Sequence, residues 1–354
     1  MSTRMAAEIA EQPEVLERTL DDLLPQRRLL RELDAHRRGV LFVARGTSDN
    51  AGVYGRYLLE IHAGRGAGSA APSLATHYEV KRDLTDTLVV SISQSGRTTE
   101  IVETQRWARS LGGRTVAITN EDDSPLAAEA DLTLLTRAGR EQAVPATKSH
   151  TTQLLAVAVL ADALGPPSAT LEPALRRLPG EVQRLVDAQD GVEEAVVALA
   201  ATDTTLVSGR GLAFATALEV ALKLEETCLK PVRGLSYADL RHGPIAVVDE
   251  WVTAVLVATG TPPMLAGMTE LAHDLARMGA PRIGIGGDGG FQRACQVAVD
   301  GPDLPETVAP IGLVVPGQLI AEALARHLGL DPDAPRGLSK VTATDPGGAS
   351  GAGN

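Results

Sequence analysis

The segment SQSGRTT at residues 93–99 brings four hydroxyl groups, a glycine and an arginine together. It follows the apolar run TLVVSI at residues 87–92, which is typical of a buried strand, and precedes a helical pattern over residues 99–111. The unpaired N–H groups and the dipole of a helix N-terminus favour an anion, so this junction suits a phosphate. A Ser- and Thr-rich helix cap has the same composition, and the segment alone favours neither interpretation.

Two further junctions carry polar residues that could reach a ligand. RGTSDN at residues 45–50 follows a predicted strand at 39–44, and its Thr47 and Ser48 either cap a helix or bind a ligand oxygen. Capping explains this motif in isolation, but two hydroxyl loops at strand ends of one sheet favour a shared pocket. In AVPATKS at residues 143–149, Lys148 either neutralises a phosphate or is solvated, as most single lysines are.

The predicted helix at residues 212–226 carries Glu219, Lys223 and Glu226, which are spaced to share one face. Such a stripe usually forms salt bridges on a protein surface. The rest of this helix is apolar, however, which indicates burial on most sides. We therefore expect the stripe to face a polar cavity or a partner, where a carboxylate with a shifted pKa suits proton transfer.

His242 lies in the segment DLRHGP at residues 239–244, and a histidine exchanges protons near neutral pH. A single histidine in a loop is more often an exposed residue without a catalytic role. The sequence has no HExxH or CxxC motif and no close set of histidines and carboxylates, so we predict no metal site.

The pattern of elements around these residues predicts an α/β fold with parallel sheets covered on both faces. Helical residues 6–33 precede strands at 39–44, 87–92, 114–119 and 131–135, with helices at 49–62, 99–111 and 151–164. After a linking helical region at 171–201 the alternation restarts, with strands at 204–208, 251–258, 281–285 and 307–315 and helices at 212–226 and 318–328. The two halves look like copies, because RGTS at 45–48 and RGLA at 210–213 each follow a first strand.

Composition limits the class of protein. The chain has 354 residues, 44% hydrophobic and 22% charged, a net charge of −12 and only 3% aromatic residues. These values indicate a globular protein and disfavour nucleic acid and anionic membranes as partners. Two cysteines without a pairing motif and the lack of a signal-like N-terminus predict a cytoplasmic protein. The Gly-, Ala- and Ser-rich residues 345–354 predict a disordered tail.

Taken together, these segments resemble a known family, the sugar isomerase (SIS) domains of glucosamine-6-phosphate synthase. The resemblance rests on SQSG at 93–96, VPATK at 144–148, ALEVALKLEE at 217–226 and HGP at 242–244, in this order. MAAEIAEQP at 5–13 and PRGLSKVT at 335–342 are similar to the start and the end of the same isomerase module.

The resemblance implies two tandem flavodoxin-like SIS domains, each a parallel sheet between helices, in a homodimer with a shared active site. We place an N-terminal helical segment at 1–33, the first SIS domain at 34–166, linking helices at 167–200 and the second SIS domain at 201–344. No metal or organic cofactor is implied. The substrate-binding residues implied for a hexose 6-phosphate are Thr47, Ser48, Ser93, Gln94, Ser95, Thr98, Val144, Ala146, Lys148 and Glu219.

The same resemblance assigns the chemistry. Glu226 is implied to move a proton between C1 and C2 of the sugar, supported by Lys223 and Glu219. His242 is implied to open the sugar ring and to reach in from the neighbouring subunit. Lys340 is implied to close over the open-chain sugar, and in the synthase the matching lysine can form a Schiff base.

Two departures from the synthase shape the functional prediction. We expect no glutamine-hydrolysing domain in this chain, whose first cysteine is Cys228, and Pro145-Ala146 replaces the usual Ala-Ser of its loop. We therefore predict a deaminase that converts glucosamine 6-phosphate to fructose 6-phosphate and ammonia. The alternatives are an aminating isomerase, a fructosamine-6-phosphate deglycase, another aldose–ketose isomerase and, disfavoured by Glu226 and His242, a sugar-phosphate sensor.

Overall fold

The computed structural model describes residues 3–34 and 38–340, which form two five-stranded parallel sheets flanked by helices. This architecture confirms the predicted α/β class. The predicted tail at 345–354 lies outside the described residues, and the limits of the two predicted domains stay a prediction. Among the described residues, none of the helices is both long and apolar enough to cross a membrane.

The first half begins with three helices that pack against the first sheet. Pro13 lies in the first turn of the second helix, a position that tolerates proline, so the chain breaks just before it at Glu11. The elements of this half are α1 (Arg4–Ala10), α2 (Gln12–Leu23), α3 (Arg27–Asp34), β1 (Gly39–Val43), α4 (Thr47–Ala63), β2 (Gly66–Ser69), α5 (Ser73–Thr76), β3 (Thr87–Ile92), α6 (Thr99–Ser110), β4 (Arg114–Thr119), α7 (Pro125–Ala128), β5 (Leu132–Leu135) and α8 (Lys148–Leu164).

Two linking helices lead into the second half, which repeats the same alternation. Its elements are α9 (Leu171–Ala188), α10 (Val192–Ala200), β6 (Thr204–Gly209), α11 (Ala213–Cys228), β7 (Val232–Ser236), α12 (Tyr237–Arg241), a 3-10 turn (Pro244–Val247), β8 (Val252–Ala258), α13 (Leu265–Arg277), β9 (Arg282–Gly286), α14 (Gly289–Ala294), β10 (Val297–Val299) and α15 (Ala309–His327).

Both sheets have the same strand order, which confirms the predicted duplication. The first runs β2-β1-β3-β4-β5, and the second runs β7-β6-β8-β9-β10. In the first sheet β2 lies on one side of β1 and β3 lies on the other, and in the second sheet β7 and β8 flank β6 in the same way. The loops that follow the two neighbouring central strands, β1 and β3 or β6 and β8, therefore lead to opposite sides. This switch point is where open α/β sheets bind ligands. In the first sheet it lies between β1 and β3, which pair from Gly39 with Thr87 to Val43 with Ser91.

One apolar core joins the two halves. Helix α4 of the first half packs against α11 of the second, and α11 packs against α15. Helix α8 is buried from Lys148 to Ala163, which explains why its sequence lacks a polar face. The contact between α4 and α11 matters most for function, because it brings the two halves together beside the switch point of the first sheet.

The structure corrects one predicted strand and adds three strands that were not predicted. Residues 307–315 were expected to hold a strand, but the structure places helix α15 there. This helix is buried nearly all round, so its apolar run lacks the one-sided pattern that distinguishes a helix from a buried strand. Strands β2, β7 and β10 were not predicted, since they are short and their sequences GAGS, VRGLS and VAV carry a weak strand signal.

Candidate active site

A cavity of about 340 Å³ lies at the carboxyl ends of β1 and β3, the switch point of the first sheet. Loops from the first half, helix α11 of the second half and the C-terminal segment all contribute to its wall. The lining residues are Arg45, Gly46, Thr47, Ser48, Ile92, Ser93, Gln94, Ser95, Thr98, Ile101, Val144, Ala146, Lys223, Glu226, Leu338, Ser339 and Lys340. The structure thus brings together residues that lie far apart in the sequence.

The 93–99 loop presents Ser93, Ser95 and Thr98 to the cavity, although the Ser95 hydroxyl also accepts a 3.3 Å hydrogen bond from the N–H of Arg97. Thr98 is the N-cap residue of α6, yet its side chain makes no capping hydrogen bond. Gly96 adopts a φ of +59°, and a Cβ there would lie 2.2 Å from the Oγ of Ser124, so only glycine fits this turn. The tight turn therefore directs Ser93, Ser95 and Thr98 to the cavity beside the N-terminus of α6.

The 45–48 loop adds a second helix N-terminus to the same wall. Gly46 has a φ of +54°, and Thr47 and Ser48 form the first turn of α4. Arg45 lines the cavity, and its guanidinium donates two hydrogen bonds, of 2.7 and 3.0 Å, to Glu100 at the start of α6. The two helix N-termini make this part of the cavity wall favourable for an anion, while the charge of Arg45 is balanced by Glu100.

Helix α11 supplies an ammonium and a carboxylate to the same cavity, next to the 45–48 loop. Lys223 is 1% exposed, and its Nζ donates to Glu226, lies 3.4 Å from Glu219 and donates a 3.2 Å hydrogen bond to Thr47. Burial by itself lowers the pKa of Lys223, but the charges of Glu219 and Glu226 outweigh it and raise that pKa above its ordinary value. Lys223 is thus a fixed cation. Glu226 keeps 24% of its side chain exposed at the cavity wall.

Glu219 lies behind the cavity, not on its wall. Its side chain is fully buried and accepts hydrogen bonds from Thr47 at 3.1 Å and from Asn50 at 2.8 Å. Because a buried carboxylate requires such donors, Glu219 positions Thr47 and Lys223 rather than touching a ligand in the cavity.

The 141–149 loop is organised around the buried carboxylate of Glu141. This carboxylate accepts hydrogen bonds from the backbone N–H groups of Thr147 and Ser149, at 2.9 and 3.0 Å, and from Lys340 Nζ at 2.7 Å. Burial raises the pKa of Glu141, but Lys340 and the loop donors outweigh it and hold that pKa below its ordinary value. Glu141 thereby fixes the loop that presents Val144 and Ala146, and it holds Lys340 at the cavity.

Besides Glu219, two further residues predicted for the site do not line the cavity, namely Lys148 and His242. Lys148 is 2% exposed and its Nζ forms a 2.6 Å ion pair with Glu11, so it stabilises the junction of α8 with the N-terminal helices instead of facing a phosphate. His242 follows α12 on the second half, is exposed, and is not among the residues of its own chain that line the cavity.

Arg45, Asn50 and Glu141 shape the site but were not selected from the sequence. Arg45 was present in the predicted loop, and its position beside a glycine at a strand end was the available signal. Asn50 and Glu141 become important only through contacts with residues far along the chain, Glu219 and Lys340, which no local pattern reveals. In the part of the chain that the structure describes, no group of His, Cys, Asp and Glu is suited to hold a metal ion.

Comparison with known proteins agrees with this geometry. The SIS domain family model matches residues 35–163. A candidate phosphosugar isomerase from Silicibacter pomeroyi DSS-3 is 32% identical, with a TM-score of 0.86 over 94% of this chain and 100% of that protein. The C-terminal domain of glucosamine-fructose-6-phosphate aminotransferase from Francisella tularensis is 26% identical, with a TM-score of 0.81 over 95% of this chain and 98% of that domain.

A longer relative is also similar along nearly the whole of this chain. Glutamine--fructose-6-phosphate aminotransferase [isomerizing] from Symbiobacterium thermophilum is 36% identical over 95% of this chain, which spans 58% of that protein's length. The paired sheets, the cavity at the first switch point and these relatives lead to one assignment. The chain belongs to the SIS domain family of sugar-phosphate isomerases.

Proposed function

We propose that this cavity interconverts glucosamine 6-phosphate with fructose 6-phosphate and ammonia, and that deamination is its principal direction. One observation carries the proposal: the hydroxyl loop of the first half and the Lys223–Glu226 pair of the second half line the same cavity. The hydroxyl loop suits a phosphate, and helix α11 adds a carboxylate beside a fixed ammonium to the same wall.

In the proposed complex the phosphate lies at the N-terminus of α6, with Ser93, Gln94, Ser95 and Thr98 as its hydrogen-bond donors. This placement is supported by the Thr98 hydroxyl, which makes no capping hydrogen bond, and by the position of all four residues on the cavity wall. A phosphate held there anchors the far end of the sugar, and its binding energy orients C1 and C2 for reaction.

Proton transfer is assigned to Glu226. In the open-chain sugar its carboxylate removes the C2 proton, and O1 takes a proton from water as the C1–C2 enolamine forms. Return of the first proton to C1, with loss of one N–H proton to water, gives the imine of fructose 6-phosphate; water then adds at C2 and ammonia leaves. Lys223 supports this role because its hydrogen bond fixes the carboxylate of Glu226 at the wall of the cavity.

We further propose that ring opening uses His242 of a second copy of the chain, in a homodimer. His242 is exposed and lies outside the cavity of its own chain, and the exposed apolar side chains of Val247 and Trp251 follow it in the same part of the sequence. Mixing of the His242→Asn and Glu226→Gln variants tests this. Random pairing into shared sites restores about one native site in two for each mixed dimer, whereas unshared sites restore no activity.

The direct test incubates the protein with glucosamine 6-phosphate and follows ammonia and fructose 6-phosphate together. The proposal predicts equal amounts of both products. Binding of the sugar without release of ammonia contradicts the deaminase assignment.

A second candidate is the reverse reaction as the main activity, the amination of fructose 6-phosphate. It is favoured by the 36% identity to glutamine--fructose-6-phosphate aminotransferase [isomerizing]. Incubation with fructose 6-phosphate and ammonium chloride, compared with the forward assay at equal protein concentration, distinguishes the two. Formation of glucose 6-phosphate from fructose 6-phosphate without ammonia would instead indicate an isomerase for unaminated sugars.

A further inference from the structure

The duplicated half of the chain has its own switch point, and the two switch points begin alike. Arg45-Gly46 follows β1, and Arg210-Gly211 follows β6, with φ angles of +54° at Gly46 and +59° at Gly211. In both halves a glycine with a positive φ thus follows the arginine just before the next helix. What lies beyond the turn differs between the halves.

The second switch point is filled by the protein itself. A Cβ built on Gly46 would meet no atom within 4 Å, because the cavity lies there. A Cβ built on Gly211 would meet the Cγ of Met264 at 2.9 Å and a carboxylate oxygen of Glu306 at 3.4 Å. The space beside this glycine, which is open in the first half, is thus occupied by Met264 and Glu306 in the second.

The arginine of the second switch point has a different contact from Arg45. The guanidinium carbon of Arg210 lies 4.2 Å from the centre of the Tyr237 ring. The guanidinium carbon of Arg241 lies 4.9 Å from the same ring, and Arg241 also donates a 2.5 Å hydrogen bond to Asp274 of α13. Two cations on one aromatic ring, one of them paired with a carboxylate, connect α12 to the loop after β6 and to α13.

These contacts surround the short helix that leads to His242. Tyr237 is the first residue of α12 and Arg241 is its last, so both ends of the helix are held, and His242 follows directly. The N-terminus is further fixed by Ser236, whose hydroxyl accepts from the N–H of Asp239 at 3.1 Å and donates to its carboxylate at 2.6 Å. An isolated five-residue helix is unstable in water, so these tertiary contacts determine its position.

We propose that the second switch point has been converted from a ligand site into a clamp for His242. In this clamp Arg210, Tyr237, Arg241 and Asp274 act as positioning residues. The inference rests on the proposed function, since it gives His242 its role in ring opening. It gives Arg210 and the positive-φ Gly211 a role in the second half, where Met264 and Glu306 fill the space beside the glycine.

The clamp is tested with Tyr237→Leu, which removes the aromatic ring, and Tyr237→Phe, which retains it. Hydrogen exchange of residues 237–242 is expected to accelerate about tenfold or more in the Leu variant and to stay near the wild-type rate in the Phe variant. For glucosamine 6-phosphate, kcat is expected to fall about 10- to 100-fold in the Leu variant with KM nearly unchanged. Tyr78→Leu, at an exposed tyrosine of the first half, is the control.

The outcomes separate the clamp from the function on which it rests. If His242→Asn loses turnover but Tyr237→Leu keeps both the wild-type kcat and slow exchange, the clamp is wrong and the role of His242 stands. If His242→Asn keeps full turnover, His242 does not open the sugar ring. The clamp then has no role in catalysis either. Arg210→Met provides the same comparison should Tyr237→Leu not fold, because it removes a stacked cation and leaves the ring in place.

Discussion

Asn50 of α4 donates a 2.8 Å hydrogen bond to the buried carboxylate of Glu219 on α11. This contact joins the first half of the chain to the second directly behind the cavity. The same carboxylate accepts from Thr47 and lies beside Lys223, so one buried anion connects the loop after β1 with the helix that carries Glu226. The site is therefore assembled by the packing of the two halves and is not contained in either of them.

The buried contact between the halves predicts a strong coupling. Asn50→Asp removes the donor and places a second carboxylate beside Glu219, and we expect it to lower the free energy of unfolding by about 2–4 kcal/mol. Adding Glu219→Gln removes the repulsion and is expected to recover much of this loss. Chemical denaturation of the two single variants and the double variant measures the coupling. Additive effects of the two substitutions would contradict the contact.

The phosphate loop predicts a loss of substrate affinity at Ser95. Ser95→Ala removes a hydroxyl from the cavity wall, and we expect KM for the sugar phosphate to rise about tenfold. Ser110→Ala removes a hydroxyl from the opposite end of α6 and serves as the matched control. Steady-state kinetics of both variants, with inorganic phosphate as a competitor, provides the measurement. Equal KM values for the two variants would show that the loop does not hold the phosphate.

Substitution of Lys148 and substitution of Lys340 are expected to have different effects on kcat/KM. Lys148→Met leaves the cavity wall intact, because Lys148 pairs with Glu11, and it should leave kcat/KM within about twofold of wild type. Lys340→Met removes an ammonium from the cavity and leaves the buried carboxylate of Glu141 without its positively charged partner. It should lower kcat/KM about tenfold or more. A larger kinetic loss in Lys148→Met than in Lys340→Met would reverse this assignment.

A buried histidine predicts how stability depends on pH. Burial lowers the pKa of His150 below 6.5; the charge of Lys223 lowers it further, while Glu219 and Glu141 oppose the shift. Below pH 6.5 the unfolded chain therefore binds a proton at this position that the folded chain does not, and stability falls as the pH falls. His150→Phe should remove up to about 1.4 kcal/mol per pH unit of this dependence between pH 6.5 and 5.

The difference between wild type and His150→Phe isolates this residue from the other titrating groups. The same substitution at the exposed His273 is the control. If the unfolding free energy of His150→Phe and wild type changes in parallel from pH 7 to 5, His150 is not held neutral in the folded state.

The fold was predictable because its signals are local. The runs TLVVSI and VTAVLVA and the helices between them show the alternation of a parallel sheet in the sequence itself. Helix α15 was predicted wrongly at its start, since PIGLVV is apolar on every side and period alone does not separate a buried helix from a buried strand. GAGS forms an edge strand only because β1 is available to pair with it.

The site was predictable only in part, because only some of its signals are local in the sequence. The hydroxyls of the 93–99 loop and the spacing of Lys223 and Glu226 are visible in short segments of sequence. The roles of Asn50 and Glu141 depend on partners more than 150 residues away, at Glu219 and Lys340. Lys148 carries a charge that could bind a phosphate, but in the folded chain its ammonium pairs with Glu11.

The central claim, that Glu226 moves the proton at C2, is tested most directly with glucosamine 6-phosphate deuterated at C2. Wild type and Glu225→Gln, which alters the exposed neighbouring carboxylate, are expected to remove deuterium from C2 at similar rates. Glu226→Gln is expected to slow this removal about 100-fold or more, because the amide cannot accept the proton. Loss of deuterium from C2 at the wild-type rate in Glu226→Gln would contradict the account.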